Sequence, residues 1–185
     1  MGRAVWNEDD ELMRRARVNL ATVDVFSWAL LEPEEGRYDF AWLDAHIDRL
    51  HANGVAVDLA TPTASPPPWF TLPHPDALPV TPHGIRLTHG SRDTYCLAAP
   101  AYRSAARRIA SDLAERYGVH PALARWHVHN EYATLCYCDH TAADALLGRT
   151  GVATVPEESG YRADGTSFLA VRRGSVRGLT QTQPP

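Results

Sequence analysis

The alternation of helical and extended segments constrains the fold of this chain more than any other feature of its sequence. Each run of apolar residues at helical spacing is followed by a short run with strand character. The predicted helices span residues 7–16, 39–53 and 100–118, and the predicted strands span residues 18–27, 55–61 and 125–129. Strands that are separated by helices pair in parallel, with each helix as a crossover. The sequence therefore predicts an α/β fold.

The loops favour one of two α/β architectures. A proline-rich stretch at 62–99 follows the second predicted strand, and neither a helix nor an inner strand is expected in it. Long loops after strands are typical of the active-site side of a (β/α)8 barrel. A doubly wound sheet shows the same alternation, but no glycine-rich phosphate loop follows the first strand. Because a complete barrel needs roughly 250 residues, a chain of 185 predicts an incomplete TIM barrel.

Composition divides the chain at about residue 141. All five tryptophans lie before this point, whereas half of the glycines lie after it, and the last segment has no sustained apolar period. We therefore expect a partial barrel domain over residues 1–140 and a divergent, poorly structured tail over residues 141–185.

Charge and apolar content limit the kinds of partner and the cellular location that are expected for this chain. A net charge of -4 gives no reason to expect a nucleic-acid partner. No apolar run approaches the roughly 20 residues of a membrane span, and no signal peptide is expected before the first charged helix. Three cysteines are too few for a disulfide framework, so a cytoplasmic location is expected.

The segment WHVHNEY at 126–132 contains the residues with the clearest chemical meaning. Many retaining glycosidases have an Asn-Glu pair at the end of a barrel strand. The Glu protonates the leaving glycosidic oxygen and later deprotonates water, and the Asn holds a sugar hydroxyl. Taken alone, the pair formed by Asn130 and Glu131 is more typical of a solvated strand end.

Other motifs strengthen the interpretation of this pair, because they occur with it in a fixed order. They are FSWALLEP at 26–33, EGRYDF at 35–40, WLD at 42–44, LATPTASPPPW at 59–69, GSR at 90–92 and ERYGVHP at 115–121. Together they resemble glycoside hydrolase family 42 over residues 6 to about 140. The resemblance implies strands two to four of a barrel, a retaining β-galactosidase acting on terminal β-D-galactosides, and no organic cofactor.

The resemblance also implies roles for particular residues. Glu131 matches the acid/base, Asn130 matches a residue that holds a sugar hydroxyl, and Arg92 matches a residue near the catalytic sugar site. Three further residues fall within the matching motifs: Trp28, Glu32 and Trp69. For each of them a structural role is at least as good an interpretation as a role at the sugar site.

The cysteines match three positions of a four-cysteine zinc site found in many members of the family. These residues are Cys96, Cys136 and Cys138, and Thr141 stands where the fourth cysteine is expected. Thiolates at this spacing suit tetrahedral zinc, and either His140 or Asp139 would complete the site. The alternative is a set of reduced thiols without metal.

The second carboxylate of the catalytic pair is expected to be missing. In the family the nucleophile follows the seventh barrel strand, and the glutamates at 157–158 lie in a segment without strand character. We therefore expect this chain alone to be inactive on β-galactosides. The hypothesis from a different class is a non-catalytic remnant with no more than weak sugar binding. Unpaired sheet edges would then favour self-association.

Overall fold

The computed structural model describes residues 3–90, 93–132, 134–146 and 170–172, and its centre is a small parallel sheet. Strands β1 (Leu20–Val23), β2 (Ala56–Ala60) and β3 (Leu123–His127) are parallel and adjacent in that order. A short strand β4 (Ala170–Arg172) pairs antiparallel with β3 and covers its outer edge. Among the described residues β1 is therefore an edge strand.

Helices connect the parallel strands, as the alternation in the sequence predicts. The helices are α1 (Arg3–Arg15), α2 (Trp28–Leu31), α3 (Ala41–Ala52), α4 (Pro68–Thr71), α5 (Pro100–Tyr117) and α6 (Asp139–Leu146). Asp39 sits before α3, where its Oδ1 accepts a hydrogen bond from the backbone N–H of Ala41 at 3.0 Å. Gly54, with a φ of 72°, turns the chain into β2. Pro100 begins α5, because proline fits the first turn of a helix.

One face of the sheet forms the hydrophobic core with α3 and α5. Val57 and Leu59 of β2 are fully buried in the same cluster as the apolar faces of these helices. The helix residues of that cluster include Leu43, Ile47, Leu50, Ile109 and Leu113. Burying side chains of this size stabilises the fold by about 1.5–3 kcal/mol each. The core thus holds the helices against one face and leaves the opposite face for polar residues.

The opposite face carries a polar layer across all three parallel strands. Thr22, Asp58 and Arg125 are register partners. Thr22 donates a hydrogen bond to Asp58 Oδ2 at 2.9 Å, and Arg125 Nε lies 3.1 Å from Asp58 Oδ1. Arg125 therefore neutralises a buried carboxylate where the interior of a barrel would lie.

Two strands end earlier than the sequence predicts. The strand predicted at 18–27 ends at Val23, and the strand predicted at 125–129 runs from Leu123 to His127. The backbone is left-handed at Asp24, with a φ of 73°, and at His129, with a φ of 62°. An extended strand cannot continue through that conformation, so each strand turns there into a loop.

The proline-rich stretch contains short helices, and the expectation of no helix there is wrong. Besides α4, single helical turns occur at Pro62–Ala64 and Pro75–Ala77. Proline lies in the first turn of each of the three, where its missing N–H costs nothing.

The boundary predicted at about residue 141 lies within α6. Most of the predicted tail, residues 147–169 and 173–185, is outside the described residues, so its poor structure stays a prediction. Among the described helices, none has the length and apolar character needed to cross a membrane.

Candidate active site

The carboxyl ends of the three parallel strands meet at one edge of the sheet, and the candidate residues follow them. Asp24 comes directly after β1, Thr61 and Thr63 come after β2, and Glu131 comes shortly after β3. In barrels and open parallel sheets, this edge is where catalytic residues are held. The same edge therefore gathers polar groups from loops that are far apart in sequence.

His129 anchors the turn after β3. Its side chain is buried, with 7% exposure. Nδ1 lies 2.7 Å from Thr63 Oγ1, Nε2 is hydrogen-bonded to the hydroxyl of Tyr95, and the backbone N–H donates to Thr61 Oγ1 at 2.9 Å. Burial, with a smaller contribution from His127, lowers the pKa of His129 to about 4. A neutral imidazole thus joins the ends of β2 and β3 by hydrogen bonds.

Glu131 stands exposed beside this anchor. Its backbone is left-handed, with a φ of 36°, and the neighbouring ring of Tyr132 stacks on that of His129 with centroids 4.4 Å apart. The stacked rings of His129 and Tyr132 therefore brace the turn that contains the exposed Glu131. Asn130 is half-buried between His129 and Glu131. His129 was not among the residues predicted from the sequence, although a second His two residues before the Glu was a signal for it.

Arg92 lies outside the described residues, so its predicted place near the sugar site stays a prediction. The described residues next to it show only where the loop is attached. The backbone N–H of Asp93 donates to the carbonyl of Ala64 at 3.0 Å, just beyond β2. The loop that contains Arg92 is thus attached just beyond the end of β2, the strand next to β3.

Asp24 is a second residue that the sequence analysis missed. It is buried, with 6% exposure, and neither carboxylate oxygen makes a hydrogen bond of normal geometry with the described residues. Burial raises the pKa of Asp24 to about 8, and the side chain of Ser27 offsets only part of this rise. At neutral pH this carboxyl group is therefore mainly protonated, which makes it a poor nucleophile.

The loop after β1 also contains Glu32, which is fully engaged in structure. Its Oε2 accepts a hydrogen bond from Trp28 Nε1 at 2.7 Å, and its Oε1 accepts one from the backbone N–H of Gly36 at 2.8 Å. The carbonyl oxygen of Glu32 accepts a bond from Trp69 Nε1 at 2.6 Å. Trp69 packs edge-on against Trp28. These contacts support the structural alternative for all three side chains.

Beyond α4 the structure brings three thiols together. The Sγ atoms of Cys96, Cys136 and Cys138 all lie within 4.8 Å of one another, and Cys96 and Cys138 are 3.4 Å apart. A tetrahedral zinc ion with sulfurs at roughly 2.3 Å would hold them roughly 3.8 Å apart. The backbone N–H of Val80 points to Cys136 Sγ at 3.4 Å. Spacing and donor set both fit a metal ion.

Protons are shared unequally in this thiol cluster. A hydrogen bond from Cys96 lowers the pKa of Cys136, and the same bond raises the pKa of Cys96. Burial adds to the rise at Cys96. Cys136 therefore has more thiolate character than Cys96, and the thiolate is the form of cysteine that binds a metal ion.

Comparisons with known proteins agree with the motifs. The β-galactosidase model of glycoside hydrolase family 42 matches residues 1–145. The β-galactosidase LacZ of Heyndrickxia coagulans is 47% identical over 140 residues, which are 74% of this chain and 21% of that protein. A β-galactosidase of an Arthrobacter species is 56% identical over 124 residues, 67% of this chain and 18% of that protein.

Solved structures give the same result. The β-galactosidase of Bacillus circulans sp. alkalophilus superposes with a TM-score of 0.76 at 39% identity, over 80% of this chain and 22% of that one. The β-galactosidase of Rahnella sp. R3 superposes with a TM-score of 0.73 at 41% identity, over 76% of this chain and 21% of that one. The chain thus spans about a fifth of the length of the relatives that it matches.

Proposed function

The chain belongs to glycoside hydrolase family 42, the β-galactosidase family, and we propose on that premise that it carries the acid/base half of a retaining β-galactosidase active site. Its three parallel strands are part of a (β/α)8 barrel. The observation that carries the proposal is the position of Asn130 and Glu131. They lie in the turn shortly after β3, at the edge where the other two parallel strands also end.

Glu131 is proposed as the general acid/base. In a retaining glycosidase, one carboxylic acid gives its proton to the leaving glycosidic oxygen while a second carboxylate attacks the sugar. The first group then takes a proton from the water that releases the sugar. The exposed position of Glu131 suits this exchange, because both the glycosidic oxygen and water need access to its carboxylate.

Asn130 and Arg92 are proposed to bind the galactoside. An amide next to the acid/base can hold a sugar hydroxyl through a bond that strengthens as charge develops in the transition state. Arg92 would add donors to the same sugar from the loop tied to Ala64. Specificity for a galactoside rests on the family, since the described residues supply only part of a sugar site.

We propose that the second carboxylate of the catalytic pair, the nucleophile, is not among the described residues of this chain. At the described edge, Asp24 is buried and Glu32 has both oxygens bonded to N–H groups. A carboxyl group that is buried, or whose oxygens both accept hydrogen bonds from structural N–H groups, is a poor nucleophile. We therefore propose that these 185 residues do not hydrolyse β-galactosides alone, and that at most weak sugar binding remains.

A zinc ion is proposed for the thiol cluster. Cys96, Cys136 and Cys138 would hold it, and the ion would supply a cross-link rather than chemistry. It would tie the loop before α5 to the segment before α6. Because the ligands must be reduced thiolates, the proposal also favours a cytoplasmic location.

Galactoside binding tests the sugar-binding part of the proposal. Methyl β-galactoside would be titrated into the isotopically labelled chain and followed by amide NMR. We expect shifts centred on Asn130 and Glu131 with a Kd of about 1 mM or weaker. Asn130→Ala should abolish them, whereas Asn53→Ala, at the opposite edge of the sheet, should not. Shifts that ignore Asn130→Ala, or no shifts near Glu131, would reject this edge as a sugar site.

A further inference from the structure

The thiol cluster contains three strong ligands, and the position for a fourth is held by a threonine. Thr141 lies in the first turn of α6, with its Oγ1 3.5 Å from Cys96 Sγ and 3.7 Å from Cys138 Sγ. The hydroxyl therefore stands beside the position that an ion between the sulfurs would occupy. A neutral hydroxyl is a far weaker ligand for zinc than the Cys, His, Asp or Glu side chains that zinc sites use.

The two other candidates for a fourth ligand lie outside the cluster. Among the described residues, the group of His, Cys, Asp and Glu ligand atoms within 4.8 Å of one another contains the three cysteines only. His140 instead faces Asp76, with 3.6 Å between Nε2 and Oδ2. Asp139 is exposed at the start of α6. Neither side chain completes the site without leaving its present position.

We infer that a divalent metal ion bound by Cys96, Cys136 and Cys138 keeps one exchangeable coordination position beside Thr141, which small ligands such as imidazole can occupy. The inference rests on the proposed metal site and adds its coordination. Structural zinc sites are closed by four protein ligands, whereas an open fourth position admits water or an external ligand. The expected consequence is weaker metal retention than in a site with four cysteines.

A metal ion in the thiol cluster would lie near the surface of the fold. Cys96 and Cys138 are buried, but Cys136 is half-buried and the flanking Tyr137 is exposed. Thr141 in the first turn of α6 is likewise only half-buried, so a small ligand can approach the cluster from that side. Three thiolates and one divalent ion leave a net charge of -1, which a neutral ligand does not increase.

Cobalt is a suitable probe, because its absorption reports both thiolate ligation and coordination geometry. The reduced full chain would be loaded with Co²⁺ without oxygen, and imidazole would then be added. Wild type should bind one ion through thiolates and change its spectrum with imidazole. Thr141→Cys, which supplies the fourth thiolate, should bind one ion and ignore imidazole. Thr141→Val, which replaces the hydroxyl with a methyl group of similar size, should behave as wild type does.

Zinc competition with a coloured chelator gives a second measurement. Thr141→Cys should bind zinc roughly tenfold more tightly or better, since even groups that only orient a ligand change metal affinity by about 10- to 100-fold. Cys138→Ser should lose most of the binding. A wild-type cobalt spectrum that ignores imidazole, or loss of metal in Thr141→Val, would show a closed site and overturn the inference while the metal site stands. No binding by the wild type would overturn both.

Discussion

The buried carboxyl group of Asp24 should make the fold less stable as pH rises, and replacing it with Asn should remove this effect. The pKa of Asp24 in the folded chain is about 8, against 3.8 for an exposed Asp. Below the lower value the group is protonated in both states and costs nothing. Between the two values the unfolded chain releases the proton and the folded chain keeps it, so stability falls with rising pH.

The size of the effect follows from the shift. One pKa unit corresponds to about 1.36 kcal/mol, so at pH 7 the roughly 3 units crossed amount to an upper limit of about 4 kcal/mol. The actual cost is smaller than this limit, because the folded chain can open locally and let water solvate the ionised carboxylate. We therefore expect Asp24→Asn to stabilise the fold by about 2–4 kcal/mol at pH 7 and by almost nothing at pH 4. Asn suits the site because it tolerates the left-handed backbone at this position.

Urea unfolding followed by tryptophan fluorescence at several pH values measures the difference. Asp9→Asn is the matched control, because it makes the same change of charge at an exposed position of α1 and should shift stability by less than about 0.5 kcal/mol. The gain from Asp24→Asn should grow steadily between pH 4 and pH 8. A gain that does not depend on pH, or a loss at pH 8, would refute the assignment of a buried, protonated carboxyl group.

Three further predictions concern the hydrogen bonds of the fold. Arg49→Ala should lower the free energy of unfolding by about 1–2 kcal/mol in urea titration, because Arg49 joins α3 to α1 through a part-buried bond to Asp10 and an exposed bond to Asn7. The exposed control Arg14→Ala should change it by less than about 0.5 kcal/mol. Glu32→Gln should cost about 1–3 kcal/mol in thermal unfolding, since an amide cannot accept from both N–H donors that the carboxylate serves. In the Asp24→Asn background, the free energy of unfolding should fall as pH drops from 6.5 to about 4, because the unfolded chain takes up a proton on this histidine while the folded chain keeps His129 neutral. His129→Phe should remove this acid sensitivity in the same titration.

The sequence predicts the arrangement of the fold better than its boundaries. Periodicity placed α3 and α5 well, because their apolar faces repeat over several turns. It extended β1 too far, because Val25 and Phe26 have strand character whereas the conformation that ends the strand belongs to Asp24. A single left-handed residue depends on tertiary packing, and local propensity does not reveal it.

The residues of the candidate site were also only partly predictable from the sequence. Motifs indicated Asn130, Glu131 and the three cysteines, because these residues lie in recognisable sequence patterns. They did not reveal that His129 would link β2 and β3, or that Asp24 would be buried without a hydrogen-bond partner of normal geometry among the described residues. Both properties arise when loops distant in sequence meet at one edge of the sheet.

Hydrolysis of a chromogenic β-galactoside by the purified chain is the most direct test of the central claim, that Glu131 is one half of a catalytic pair. A retaining enzyme needs two carboxyl groups about 5–5.5 Å apart, and removing one partner of such a unit abolishes most of the rate. We predict no turnover above that of the Glu131→Gln variant prepared in the same way. Turnover by the wild-type chain that disappears in Glu131→Gln would contradict the account, because it would show that these residues contain a complete active site.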